Sequence, residues 1–402
     1  MTWRNALSFT AVVRLPHPIP PGVSMSAFSA PPVLKKDLDR RAFFRLGGTV
    51  GLVAGTTALL AACSDSAATG GSSSAAASGP AAAGSLGTIA LQLSWIKNIE
   101  FAGEYFATEK GYYTKAGFKE VTLLAGGGQT GAEEALLAGQ ALVGLSSPSI
   151  TAPSIAQGAA LKIIGTTFQK NPFCLLSLKE KTPISSVADL KGKRIGVQSG
   201  GNQTILAGFL KANGLSASDV TLVATQYDIA PLEAGKYDAH VSYITNEPIL
   251  AKKDGFTPVV LGFADNGLPF VAETFTVTQD SIDNKRDVLK AFLKAEIQGW
   301  SDAVKSPEQS AEYAVSKYGK DQDLDKSEQV AEATAQNTLI LTDDVNKNGL
   351  FTMTDALIAE NISSLKAMGT TITADKLFDM SIIEEVYKEN PDLITTFTIP
   401  TA

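Results

Sequence analysis

Aromatic and polar side chains stand near the ends of predicted strands, where they could hold a small molecule without covalent chemistry. Trp95 follows a strand predicted over 88–94, so its ring can face a cleft. Stacking a flat ligand on such a ring contributes ~1–3 kcal/mol. Asn98 offers a donor and an acceptor, Tyr243 offers a second ring, and Glu247 could accept hydrogen bonds from an amine. These residue types favour stacking and hydrogen bonding.

Two turns rich in serine, glycine and glutamine also follow predicted strands. Each precedes a predicted helix, whose free amide groups could meet a polar or anionic ligand group. The turns contain Gln198, Ser199, Gly200 and Gly201 in one case and Ser146, Ser147 and Ser149 in the other. Gln129, Tyr227 and Asn246 complete the set of candidate ligand-binding residues.

Each candidate also has a structural interpretation. Trp95 can be a core residue, and Tyr243 can pack against its neighbours. Glu247 precedes Pro248 and can be the solvated start of a helix. Serine and glycine are ordinary turn formers, so only their position after strands makes them candidates.

Catalytic motifs are absent from the sequence. It contains no Gly-x-Ser-x-Gly elbow, no P-loop and no His-Glu-x-x-His segment. The two histidines are His17 and His240, and His240 lies in a strand-like run where core packing is the favoured interpretation. Cys174 has apolar neighbours and is interpreted as a buried residue. We therefore expect no catalysis, no cofactor and no metal ion.

Strands and helices that alternate at short spacing position these residues. This pattern predicts an α/β protein with mainly parallel sheets covered on both faces. The predicted strands are 88–94, 120–124, 142–145, 161–167, 193–197, 220–224, 239–243 and 258–261. The predicted helices between them are 101–110, 130–138, 148–157 and 203–213. Long helices follow at 286–305, 307–318, 327–340 and 352–368, so the C-terminal part is predicted to be helical.

Composition and charge limit the class of protein. Hydrophobic residues make up 44% and charged residues 19%, as in globular proteins, and 402 residues favour two domains or lobes. The net charge is −7, but residues 1–62 hold seven Lys/Arg against two Asp, which leaves 27 basic and 39 acidic residues elsewhere. An acidic body of −12 lacks the electrostatic pattern of a nucleic-acid-binding protein. Two cysteines predict neither a disulfide framework nor a zinc cluster.

The first 62 residues have the pattern of an export signal. Arg40 and Arg41 precede residues 46–62, which carry no charge, and Leu-Ala-Ala-Cys follows at Cys63. The paired arginines resemble a twin-arginine signal, and the ending resembles the lipobox of bacterial lipoproteins, whose cysteine is lipidated. We therefore predict an extracytoplasmic protein anchored to the membrane by lipid on Cys63. An uncut membrane anchor is the alternative, although the apolar run is shorter than the ~20 residues that span a membrane.

A flexible linker is predicted over 63–87, after the lipidated cysteine. Residues 64–87 contain eight Ala, seven Ser and five Gly, with no aromatic residue. Such a segment buries too little surface to fold by itself. The folded body is predicted to begin near Thr88. Residues 1–24 do not fit a signal peptide, so Met25 is an alternative start.

Four segments together resemble one family of proteins. Residues 91–113 contain the Trp-x-x-Asn pattern of Trp95 and Asn98, then Ala-Gly, and end in Lys-Gly-Tyr-Tyr. The other segments are Gly-Gly-Gly at 126–128, Asp-Leu-Lys-Gly-Lys-Arg-Ile-Gly-Val at 189–197 and Thr-Asn-Glu-Pro at 245–248. Together they resemble the thiamine-pyrimidine/sulfonate (NMT1/THI5-like) group of periplasmic binding proteins over roughly residues 88–305.

The resemblance implies a type II periplasmic binding protein fold, in which two lobes close on a ligand by a hinge motion. Lobe one would comprise 88–175 and 270–402, and lobe two 176–269. The Trp-x-x-Asn and Asn-Glu-Pro segments point to the subgroup that binds flat heteroaromatics, such as thiamine pyrimidine precursors or riboflavin. The implied partners are a small ligand and the permease of an ABC importer, and the implied role is that of its solute-binding protein.

Two alternatives stay open. A sulfonate, nitrate or similar anion would require Arg or Lys in the cleft, and the candidate stretches carry only Lys97. Related fungal proteins that synthesise the pyrimidine use a histidine and a cysteine cluster. Residues 88–402 contain one histidine and one cysteine, so an enzyme is the remote alternative.

Overall fold

Two five-stranded sheets organise the protein. The computed structural model describes residues 84–127, 131–199 and 201–400. The export motif of Arg40 and Arg41, the anchor at Cys63 and the candidates Gln129 and Gly200 lie outside these residues. The strands are β1 Thr88–Gln92, β2 Glu120–Leu124, β3 Val143–Ser146, β4 Leu161–Phe168, β5 Phe173–Leu178, β6 Arg194–Val197, β7 Thr221–Ala224, β8 Ala239–Tyr243, β9 Pro258–Gly262 and β10 Ala272–Thr278.

Helices cover both sheets and form the C-terminal part. They are α1 Ala102–Glu109, α2 Tyr112–Lys115, α3 Ala132–Leu137, α4 Pro148–Ala156, α5 Gly201–Ala212, α6 Ala230–Glu233, α7 Glu247–Lys253, α8 Gln279–Asn284, α9 Arg286–Ala303, α10 Pro307–Tyr313, α11 Lys326–Ile340, α12 Asp343–Asn348, α13 Asp355–Met368, α14 Ala374–Leu377 and α15 Ser381–Glu389. A π-helical turn, Ala314–Tyr318, extends α10. Within the described residues, no helix has the length and apolar character needed to cross a membrane.

The strand order confirms the predicted two-lobed α/β fold. The first sheet has the order β2-β1-β3-β10-β4 and the second β7-β6-β8-β5-β9. In each sheet the first three strands are parallel, while β10 and β5 run antiparallel to both of their neighbours. The first lobe is the first sheet with α1–α4 and α8–α15, and the second lobe is the second sheet with α5–α7.

The first predicted lobe boundary, between residues 175 and 176, is wrong. It falls inside β5, which pairs with β8 and β9 of the second sheet from Phe173 onward. The chain therefore crosses between the lobes at 169–172 and returns at 263–271. Asn171 ties the two crossings together, because its side chain donates to the Leu268 carbonyl at 2.9 Å and accepts from the Phe173 amide at 2.9 Å.

Helix α13 contacts both lobes, so the assignment of all of 270–402 to the first lobe was too simple. A Cβ added at Gly208 in α5 would lie 2.5 Å from Met368 Cγ at the end of α13. On the same helix, the buried Asn361 accepts a hydrogen bond from the Val271 amide in the second crossing at 3.0 Å. Helix α13 thus packs against the second lobe and against the segment that joins the lobes.

The folded body begins before Thr88, contrary to the predicted linker boundary. The Leu86 amide donates to the Gly117 carbonyl at 2.9 Å, and the Lys119 amide donates to the Gly87 carbonyl at 2.8 Å. Leu86 also packs against the core of the first lobe. These contacts hold the end of the predicted linker beside β2.

Helices α1 and α9 cross closely because glycine occupies the crossing point on both. A Cβ at Gly299 would lie 2.2 Å from the carbonyl oxygen of Gly103, and a Cβ at Gly103 would lie 2.1 Å from the Trp300 ring. Trp300 is 1% exposed and packs in the core of the first lobe. The first lobe is therefore held together by a contact that tolerates no side chain.

Two carboxyl groups are buried at this helix pair, without a cationic partner among the described residues. Glu104 on α1 and Glu296 on α9 are fully buried, and Tyr113 donates its hydroxyl hydrogen to Glu296. Both carboxyl oxygens of Glu104 lack a hydrogen-bond partner in the described chain. Burial raises the pKa of Glu104 to about 8 and raises the pKa of Glu296 well above its usual range. Burial therefore favours the protonated form of both groups.

We expect the wild type to lose stability as pH rises and the Glu104→Gln variant to keep it. The pKa of Glu104 is about 8 when folded against 4.5 in the reference state, so the folded protein binds more protons between these values. Its free energy of unfolding therefore falls as pH rises from 4.5 to 8. Glutamine cannot ionise, so the variant should be ~4 kcal/mol more stable than wild type at pH 8 and similar at pH 4.5.

Melting temperatures from pH 4.5 to 9 test this expectation. Glu120→Gln, at an exposed position that begins β2, is the control and should keep the wild-type pH slope. Parallel curves for wild type and Glu104→Gln would contradict the expectation.

Candidate ligand-binding site

A cavity of about 330 Å³ lies between the two lobes, at the carboxyl ends of the parallel strands. Open α/β sheets place ligands at this edge. The antiparallel strands β5 and β10 bring their amino ends to the same edge, so Phe173 and Glu273 line the cavity beside residues that end other strands. The two strands missing from the sequence prediction therefore help to build the site.

Nine of the predicted ligand-binding residues line this cavity. They come from both lobes and from turns after β1, β3, β6, β7 and β8. They are Trp95, Ser146, Ser147, Ser199, Gly201, Tyr227, Tyr243, Asn246 and Glu247.

Three other candidates lie beside the cavity rather than on its wall. Asn98 is buried and caps a short helix by accepting a hydrogen bond from the Glu100 amide at 3.1 Å. Ser149 is buried 2.7 Å from the Ser147 hydroxyl. Gln198 lies behind the wall, where its Oε1 accepts from the cavity residue Asn202 at 2.9 Å. The prediction that these three residues contact a ligand directly therefore gains no support from their positions.

Aromatic rings from both lobes meet in the cavity. Trp95 of the first lobe and Tyr227 of the second have ring centroids 4.3 Å apart and planes inclined by 59°. Gly127 supports this arrangement, because a Cβ there would lie 3.1 Å from the Trp95 ring and its φ is +74°. Tyr243 meets Phe173 edge to face at 4.6 Å. These rings give the cavity an aromatic wall on which a flat ligand could stack.

Further contacts join the lobes beside the cavity. On α7 of the second lobe, Lys253 Nζ lies 3.1 Å from Glu328 Oε2 and 3.4 Å from Asp325 Oδ2. Both acidic residues belong to α11 or its N-cap in the first lobe. Together with the Trp95–Tyr227 pair, this ion pair is a direct contact between the two lobes.

Four carboxylates line the cavity, and three of them were not predicted. They are Glu100, Glu133, Glu247 and Glu273. Among the described lining residues there is no Lys, Arg or His. Glu100 and Glu133 look like solvent-facing residues of amphipathic helices, and Glu273 lies in a strand that was not predicted. No spacing in the sequence signals that these residues converge.

The hydrogen bonds of two carboxylates leave one oxygen of each without a donor among the described residues. Glu133 Oε1 accepts from Ser146 at 2.5 Å and from Thr151 at 2.7 Å, so Oε2 is its free oxygen. Glu247 Oε2 accepts from the Tyr243 amide at 2.8 Å, whereas Oε1 has no partner among the described residues. Burial raises the pKa of Glu247 to about 7. Glu247 can therefore accept a hydrogen bond from a ligand donor.

His240 lies outside the cavity in a closed hydrogen-bond network. Gln198 Nε2 lies 2.8 Å from His240 Nε2 and 3.0 Å from the Val241 carbonyl oxygen, so it donates to both. Nδ1 then carries the proton and donates to the Tyr237 hydroxyl at 2.8 Å. Burial lowers the pKa of His240 to about 4, so the ring is neutral. The predicted packing role of His240 is confirmed, as is that of Cys174, which is fully buried in β5.

Comparison with protein families identifies the chain. Residues 98–310, more than half of the 402 residues, match the family described as NMT1/THI5 like. The chain belongs to the NMT1/THI5-like family. This match covers the second lobe and about half of the first, and it confirms the resemblance to this family.

By sequence, the chain is similar to the riboflavin-binding protein RibY of Chloroflexus aurantiacus. It is 28% identical to this NMT1/THI5-like chain over 236 residues, which span 58% of the chain. The match spans 66% of the length of RibY, slightly less than two thirds.

Solved structures share the fold of this NMT1/THI5-like chain. The ligand-binding component of an ABC-type import system from Staphylococcus aureus is 12% identical and has a TM-score of 0.56, covering 74% of this chain and 98% of that one. The periplasmic aliphatic sulphonate binding protein SsuA of Escherichia coli is 15% identical with a TM-score of 0.54, covering 78% and 95%. At these identities the comparison establishes the periplasmic binding protein fold and no more.

Proposed function

We propose that this chain is the solute-binding protein of an ABC importer and binds a small flat heteroaromatic molecule. The ligand would be a thiamine pyrimidine precursor or a riboflavin-like compound, enclosed when the two lobes close. The binding of riboflavin by RibY supports this ligand class, and the shared family supports the importer role.

The observation that carries the proposal is the composition of the cavity wall. The rings of Trp95 and Tyr227 come together from opposite lobes on the cavity wall, and Glu247 offers a free acceptor close to Tyr243. Aromatic walls with a few placed polar groups are typical of sites for flat polar ligands. The volume of about 330 Å³ lies within the range of small-molecule sites.

The same wall argues against a sulfonate or nitrate ligand. Anions are held by Arg or Lys or by amide groups that carry no competing negative charge. The described lining residues include four Glu and no basic side chain. An anion in this cavity would meet like charge or would require every carboxyl group to be protonated.

Binding rather than catalysis is the role that we infer. His240 and Cys174 are the histidine and the cysteine of the described chain, and both are buried away from the cavity wall. We also propose the extracytoplasmic location and the lipid anchor on Cys63, which rest on the N-terminal sequence pattern.

Trp95→Ala should weaken binding of a flat heteroaromatic ligand ~10- to 100-fold, because a stacked ring contributes ~1–3 kcal/mol. The full-length protein would be unfolded and refolded to remove bound molecules. Thermal-shift titrations would then compare aminopyrimidines, riboflavin, thiamine and alkanesulfonates.

Trp95→Phe is the matched control, since it keeps a ring and should retain most of the affinity. A melting-temperature response to alkanesulfonates alone, or one that is equal in wild type and Trp95→Ala, would refute the heteroaromatic assignment.

A further inference from the structure

Glu100 and Glu273 form a carboxyl pair on the first-lobe side of the cavity. Glu273 is the second residue of the antiparallel strand β10 and has a φ of +51°, and its Oε2 accepts a hydrogen bond from the Ser94 hydroxyl at 2.7 Å. The Glu100 and Glu273 carboxyl groups both line the cavity, close enough for each to act on the pKa of the other. Two carboxyl groups this close share a proton unless a cation lies between them.

Glu247 faces this pair from the second lobe. It is only 6% exposed, its Oε2 is held by the Tyr243 amide, and its Oε1 has no partner in the part of the chain that the structure describes. Because Glu247 lines the cavity, its free oxygen is open to a hydrogen-bond donor of a ligand.

The charged surroundings of the pair are all acidic. Glu247 on α7 and Glu332 on α11 add repulsion to Glu100, and the Tyr243 hydroxyl also faces the group. Burial and these neighbours raise the pKa of Glu100 well above its usual range. Burial raises the pKa of Glu273 to about 7, although its contacts with Ser94 and Glu100 lower it. No basic side chain is present among the described lining residues to neutralise the pair.

We propose that Glu100 and Glu273 form a subsite for a cationic nitrogen group of the ligand, such as an amidinium edge or a protonated amine. Glu247 accepts a further N–H from the same ligand. The inference deepens the proposed function, on which it rests for the location of the ligand. An amidinium edge matches a carboxylate with two parallel N–H···O bonds, as an arginine does. A neutral ligand edge that carries carbonyl oxygens would instead be repelled, because its lone pairs would face those of the carboxylates.

Binding of a permanent cation should release a proton. Burial favours protonation of the free pair, and an incoming cation takes the place of a proton, which passes to the buffer. Affinity for the cation therefore rises as pH rises through the pKa of Glu273, about 7. A neutral ring that does not contact the pair should bind with the same affinity below and above this pKa.

Benzamidine and benzamide are matched probes, because both are flat and only the first is a cation. Isothermal titration of the full-length protein would be run at pH 6 and pH 8 in two buffers of different ionisation enthalpy. We expect benzamidine to bind about tenfold more tightly than benzamide at pH 8, to gain affinity from pH 6 to 8, and to release protons. Guanidinium should show the same pH dependence without a ring.

Glu100→Gln and Glu273→Gln keep the shape of the pair and remove its charge. Each should weaken benzamidine binding about tenfold and leave benzamide binding within about twofold. Glu120→Gln on the exposed start of β2 is the control and should change neither. The wild-type comparison of the two probes stands even if a variant fails to fold.

Three results would overturn the subsite. They are equal affinities for benzamidine and benzamide, equal losses of both in the glutamine variants, and no binding of either cation at millimolar concentration.

Failure of the subsite and failure of the proposed function are distinguishable. Neutral flat rings that bind through Trp95, without preference for benzamidine, would refute the subsite alone. Cations that bind through the pair, with no Trp95-dependent ring binding, would refute the heteroaromatic assignment alone.

Discussion

Gly299→Val should lower the free energy of unfolding by about 3 kcal/mol or more. The first atom of any side chain at this position would lie 2.2 Å from the Gly103 carbonyl oxygen and 2.9 Å from Ala107 Cβ. Neither is the end of a flexible side chain, so α1 and α9 must move apart. Overpacking in a close-packed core costs about 1–3 kcal/mol, and a clash with backbone lies at the upper end.

Denaturant unfolding followed by tryptophan fluorescence measures this loss, since Trp300 lies at the crossing. Gln298→Val is the matched control, because it places the same β-branched residue in the same helix at a half-buried position. The control should change stability by less than about 1 kcal/mol. A Gly299→Val protein as stable as the control would show that the helices do not cross as closely as described.

Glu247→Ala should weaken ligand binding by about 2–4 kcal/mol, the range for removing one partner of a buried hydrogen-bonded charge pair. The change removes the acceptor that faces the cavity and the one that holds the Tyr243 amide. Glu247→Gln keeps an acceptor for that amide and loses only the charge, so it should lose about tenfold. Isothermal titration with the flat heteroaromatic that stabilises the protein most would measure both.

Glu120→Ala provides the control for Glu247→Ala. Glu120 begins β2, at the end of its sheet opposite the cavity, and its removal should leave affinity unchanged. A loss of less than about threefold in Glu247→Ala would mean that this carboxylate serves the fold and not the ligand.

Eight of the ten strands could be predicted, and the two that were missed share a physical cause. The β5 sequence Phe-Cys-Leu-Leu-Ser-Leu is buried at every position, so it lacks the alternation that marks a strand with one solvated face. The β10 segment is likewise buried over six of its seven residues. Each lies between two strands of its sheet and runs against them. Such pairing depends on distant parts of the chain, which local patterns do not reveal.

The aromatic half of the candidate site was more predictable than the acidic half. Trp95 and Tyr243 stand beside strand ends, and that position can be inferred from sequence periodicity. Glu273 could not be inferred in the same way, because its place depends on an unpredicted strand and on a positive φ. Glu100 joins it only after β10 has inserted between β3 and β4. Convergence of like charges in a cavity is a property of the fold and has no local signature.

The insertion of β10 between β3 and β4 also determines the order in which the lobes can be completed during synthesis. When Gly262 has left the ribosome, every strand of the second sheet is available for pairing. The first sheet then still lacks β10, and α1 still lacks its partner α9. At that point β1–β4 still wait for β10, whereas β5–β9 can already pair to form the complete second sheet. The lobe that begins the folded body is the last to be completed.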